Sequence, residues 1–158
     1  MGEQKLVWEE KEYQEYIEPG VRDLVKALHI FGIRTVMSCE GHILDPWHRG
    51  ICTGVYPLPW IILMDEIEKV NVLQKNLDLW NREYPKDNWI LSRERIHGSF
   101  TPRHIDNMLR EKPNMTILAL TPESENRNWS FETLTMFQQQ TKDLGKFLID
   151  STNTYSTL

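Results

Sequence analysis

Two cysteines in 158 residues are too few for a disulfide scaffold. The chain does not open on a signal-peptide pattern, so a reducing, cytoplasmic setting is the expectation. The longest uninterrupted apolar run, Leu58 to Met64 with Pro59 inside it, falls far short of the ~20 residues a membrane-spanning helix needs. No membrane partner is therefore expected. A basic excess is also missing, since the net charge is −5. Arg93, Arg95, Arg103, Arg110 and Lys112 are opposed by Glu94, Asp106 and Glu111, a bias too small for a non-specific nucleic-acid binder. It suffices to seat one phosphate or carboxylate. No Gly/Ser linker or low-complexity stretch divides the chain, which excludes a two-domain reading.

What is present is a globular composition: 40% hydrophobic, 26% charged, with six Trp, five Phe and five Tyr. A chain of this length buries roughly two-thirds of the surface its unfolded form exposes. Residues 1–18 read as an acidic helical lead-in, residues 19–150 as one domain, and residues 151–158 as a frayed tail. The acidic segment around Glu9, Glu10, Glu12, Glu15 and Glu18 also suits an interaction module that meets a basic partner.

Apolar residues at spacings of three and four predict a helix from Pro19 to Phe31, with Gly32 as its left-handed stop. Arg34 to Cys39 alternates and reads as a strand, with Thr35, Met37 and Cys39 on one face. Trp60 to Met64 is continuously apolar, as in a strand covered on both sides. Asp65 and Glu68 fit the cap and third-residue acid of a second helix ending at Pro85. A strand over Trp89–Ile96, a short helix from Thr101-Pro102, a strand over Thr116–Thr121 and a last helix capped by Ser130 complete the order. In that last helix, Gln138, Gln139 and Gln140 read as plain solvated surface.

Helix–strand–strand thus occurs twice, at 19–64 and 66–121. The expectation is an α+β fold with a single mixed or antiparallel sheet of about four strands. Its helices would lie mainly on one face, and a permuted ferredoxin-like sandwich is among the arrangements allowed. Strand order stays open, and the short helix near Ile105 leaves room for a parallel last pair.

The chemistry-bearing residues concentrate at Ser38-Cys39-Glu40-Gly41-His42. A glycine here permits a positive φ and close approach of a ligand to the backbone, and strand ends in α/β sheets commonly hold ligands. Ser38, the amides near Gly41, Glu40 and His42 then form a polar site, with Trp47 available to stack on a ring. Trp129 is a second loop tryptophan of the same kind. Arg93, Arg95 and Arg103, with His97, would neutralise an anionic group if the sheet brings them near. Two further patterns overlap this turn. Cys39, His42, His48 and Cys52 are a zinc-type ligand set without a standard spacing, and Cys39 with His42 as base and Glu40 behind it is a nucleophile arrangement.

The stretch Gly32-Ile33-x-Thr35 followed by Ser38-Cys39-Glu40-Gly41-His42 resembles small bacterial and phage proteins that carry a Ser-Cys-x-Gly-His turn. More distantly it is similar to the methyltransferase family acting late in wybutosine synthesis on tRNA, whose motif is Ser-Cys-Ser-Gly-Arg after a comparable strand. The matched residues are Ser38, Cys39 and Gly41, while Glu40 and His42 differ. That likeness implies a tRNA-modifying activity as one alternative. The residues themselves point to binding of a small polar or anionic ligand, such as a nucleotide, by the Ser38–His42 turn and the loop after it. An enzyme using Cys39 or zinc and a protein–protein module are the other classes, and a homo-oligomer is left open.

Overall fold

Helix α1 (Pro19–Phe31) begins and ends where proline and glycine chemistry place it. Pro19 occupies the first turn, where its missing N–H costs nothing. Gly32, at φ 101°, donates to the Leu28 and His29 carbonyls, and Ile33 donates to Leu28 at 2.8 Å. This is a Schellman closure, with buried Ile33 as its hydrophobic member. The computed structural model describes residues 17–41, 58–93, 96, 102–123 and 131–156. The acidic lead-in before residue 17 lies outside them.

The remaining elements are β1 (Thr35–Cys39), β2 (Trp60–Glu66), α2 (Ile67–Glu83), β3 (Trp89–Ser92), α3 (Pro102–Leu109), β4 (Met115–Pro122) and α4 (Phe131–Ser156). The four strands form one sheet of order β1-β2-β4-β3, and every neighbouring pair is antiparallel, including β3 with β4. Because β2 and β3 both oppose β4, they run the same way with β4 between them. That is the split β–α–β of ferredoxin-like sheets, here with the outer strand on the far side of β2 coming first in the chain.

Alternate residues of β2 face opposite layers. Ile61 and Leu63 join Leu24, Leu28, Leu73, Leu77, Phe137 and Leu144 in the main core under α1, α2 and α4. Ile62 packs on the other side with Ile105 and Ile117, beneath α3. Helices thus lie mainly on one face, and the unbroken apolar run of β2 follows from burial on both.

Four local expectations are corrected. Strand β1 does not alternate cleanly: Thr35 pairs with Leu63 and Met37 with Ile62, so Val36 is the extra residue of a bulge. The bulge separates Thr35 from Met37 and turns Ser38 to the face of its partner Ile61. Asp65 is not a cap. It is a buried strand residue whose Oδ2 accepts from the Arg34 amide at 2.9 Å and whose Oδ1 accepts from Glu66 at 2.7 Å, tying the start of β1 to the end of β2. The third strand stops at Ser92 rather than Ile96, where Arg93, Glu94 and Arg95 interrupt its apolar character. Finally, α4 continues through Ser156, past the expected tail at Ser151. Ser151 and Thr152 donate to the Phe147 and Leu148 carbonyls, so their hydroxyls are satisfied within the helix. No helix among the described residues is long and apolar enough to cross a membrane.

Candidate functional site at the exit of β1

Gly41 adopts φ 85°, the left-handed conformation the turn requires. Immediately before it, Glu40 is bound on three sides. Its carboxylate Oε2 accepts from the Gly20 amide at 2.8 Å. Its own amide donates to Glu18 Oε1 at 3.1 Å, and its carbonyl accepts from Gln138 Nε2 at 3.0 Å. Glu18 makes no side-chain cap bond to α1, so Glu40 satisfies one of that helix's orphan amides from twenty residues away and places a negative charge at the positive end of the helix dipole. Thr141 completes the corner by donating to the Gly20 carbonyl at 2.8 Å.

Cys39 carries a free, half-buried thiol. The Gly41 amide donates to its sulfur at 3.4 Å. Burial nevertheless pushes the thiol up to about 11, with the Glu18 and Glu40 carboxylates adding to the rise against the Gly41 bond. It stays protonated at neutral pH, the opposite of what a nucleophilic cysteine needs. Ser38 is half-buried on the same strand, opposite Ile61 of β2.

A hollow of about 290 Å³ opens beside Glu40, between the first turn of α1 and the exposed side of α4. Pro19, Gly20, Glu40, Thr135, Gln138, Gln139 and Lys142 line it. Donors (the two glutamines and Lys142) and acceptors (Glu40 and the glutamine carbonyls) thus face one open concavity.

Several expected members lie elsewhere. Arg93 follows β3, at the edge of the sheet opposite β1, about 14 Å across at ordinary strand spacing. There it is paired with Asp106 at 2.6 Å. Arg103 is exposed on α3, on the face of the sheet away from α1 and α4. Neither arginine joins the turn, because the sheet order puts their elements at another edge and layer. His42, Trp47, His48, Cys52 and Arg95 lie outside the described residues, as do His97 and Trp129. Among the described residues no group of three or more His, Cys, Asp or Glu side chains is placed to hold a metal ion.

The partners that sequence reasoning missed are on α4. Gln138 is bonded to Glu40, and Gln140 Oε1 accepts from the indole of buried Trp89 at 3.1 Å, so these two glutamines are structural rather than idle surface. The available signal was helical spacing: Gln138 is four residues after Leu134, and Gln140 three after Phe137, on the flanks of the buried stripe. Comparison with known protein families, curated proteins and solved structures finds no match to this chain.

Proposed function

We propose that the chain binds a small polar ligand at the exit of β1, in the hollow between the start of α1 and α4, where Glu40 faces it. The observation that carries this reading is the convergence of Glu40, Thr135, Gln138, Gln139 and Lys142 on one open concavity of about 290 Å³. A few convergent polar groups around a preformed hollow is what fixes the orientation of a small ligand. Glu40 accepts from a ligand hydroxyl or base edge, while Gln139 and Lys142 donate. Catalysis by Cys39 is disfavoured, because burial, with the carboxylates of Glu18 and Glu40 adding to it, opposes its thiolate.

A thermal-shift screen of polar metabolites tests the proposal, with each hit repeated on Gln139→Ala and Glu40→Gln. Gln139 is exposed, so its replacement leaves the fold intact. Loss of ligand-induced stabilisation in Gln139→Ala is the expected result. A library with no stabilising member, or hits that stabilise both variants as well as the original chain, removes the reading.

A further inference from the structure

A second hollow, of about 260 Å³, follows the first along the contact between α1 and α4, and Lys142 lines both. Its walls are Asp23 and Lys26 from α1 with Lys142, Gly145, Lys146 and Ile149 from α4. Lys142 and Lys146 are four residues apart, so they stand on one face of α4, and like charges at that spacing cost helix stability. Lys26 adds a third ammonium from the neighbouring helix. All three lysines are exposed, and none makes an ion pair among the described residues. With Asp23 as the only acid among the described lining residues, these side chains hold a net +2 in a chain of net charge −5.

We infer that this second hollow is an anion subsite for the phosphate of a phosphorylated polar ligand whose uncharged body occupies the hollow beside Glu40. The inference rests on the proposed function for the position of that body. Lysine suits this role because each ammonium is a point charge with three donors and accepts phosphate from many directions, without the fixed fork of arginine. The shared Lys142 marks the junction between body and phosphate. Asp23 limits the charge the subsite takes, favouring a monophosphate over a longer polyanion.

Amide chemical-shift titrations of the full chain with inorganic phosphate, adenosine and adenosine monophosphate test it. Phosphate is expected to shift the amides of residues 23–26 and 142–146. The monophosphate is expected to bind roughly tenfold tighter than adenosine and to shift residues around both hollows. Lys26→Gln with Lys146→Gln removes that advantage and leaves adenosine binding unchanged. Lys69→Gln with Lys75→Gln, on α2, leaves everything unchanged. Phosphate that shifts none of these amides overturns the subsite, as does an equal loss in the α2 control. Adenosine that shifts Gly20 and Gln138 and binds as tightly as its monophosphate overturns the subsite alone, leaving the reading of the first hollow intact. Conversely, phosphate binding lost in the lysine variant, with no adenosine response around Glu40, keeps the subsite and removes its attachment to the first hollow. Binding that strengthens progressively with oligonucleotide length overturns it in favour of a general polyanion surface.

Discussion

The carboxylate of Glu40 and the amide of Gly20 meet at 2.8 Å only because residue 20 has no side chain. A Cβ there would lie 2.7 Å from the Glu40 Cβ and 2.9 Å from its Oε2. The turn after β1 and the start of α1 are therefore a fitted pair. Gly20→Ala should destabilise the fold by about 2 kcal/mol, within the range for overpacking, and Glu40→Ala by about 1 kcal/mol, as for loss of a helix cap. Urea unfolding of both variants and of Glu40→Gln, which keeps an acceptor oxygen, measures this. The glutamine variant should fall between the original chain and Glu40→Ala.

The Cys39 thiol should react slowly with alkylating reagents at neutral pH and speed up only as pH approaches about 11. Its value in the fold lies above the ordinary 9.0, so between those values the unfolded chain has lost a proton that the folded chain keeps. Stability from this group is full below pH 9.0 and is lost as pH rises toward about 11. Melting curves of the original chain and Cys39→Ala across that window should converge in slope if another group is responsible, and diverge if Cys39 is.

His29 behaves oppositely. Burial holds its ring below the ordinary 6.5, and its Nε2 lies 2.8 Å from the Thr35 hydroxyl. Below pH 6.5 the unfolded chain takes up a proton that the folded chain resists, so stability should fall as pH drops through and below 6.5. In His29→Gln that loss should be smaller, which melting temperatures between pH 7 and pH 5 would read.

Asn81 clamps β3 to α2 by donating to the Trp89 carbonyl and accepting from its amide, both at 2.9 Å. Asn81→Ala leaves two backbone groups of a buried residue without that partner and should cost about 2–3 kcal/mol. Chemical denaturation is the measurement. A cost below that of an exposed control such as Asn107→Ala would remove the clamp from the account.

Local punctuation made much of this fold legible. Pro19 and Gly32 bound α1, and the apolar run of β2 announced burial on both faces. The bulge at Val36 was hidden because Thr-Val-Met-Ser-Cys is a regular pattern on paper, and the extra residue exists only relative to β2. Asp65 matched a capping pattern, yet the amide that its carboxylate accepts from, that of Arg34 just before β1, is thirty-one residues away. The turn at Gly41 was legible from its composition, whereas its partners on α4 and the distance to Arg93 depend on sheet order and helix docking. Those are long-range outcomes that no short motif carries.

Gly20 and Thr141 are joined across 121 positions of the chain, and Gly145 lets the same two helices close, since a Cβ there would meet the Asp23 carbonyl at 3.2 Å. The hollows along this contact therefore come into being late: a nascent polypeptide has neither until α4 has left the ribosome and docked. Contacts of such sequence separation form slowly, and any molecule seated there would have to be released before the two helices could part. A bound guest would thus slow unfolding as a whole rather than quiet one loop, making the guest itself a latch between distant stretches of the chain.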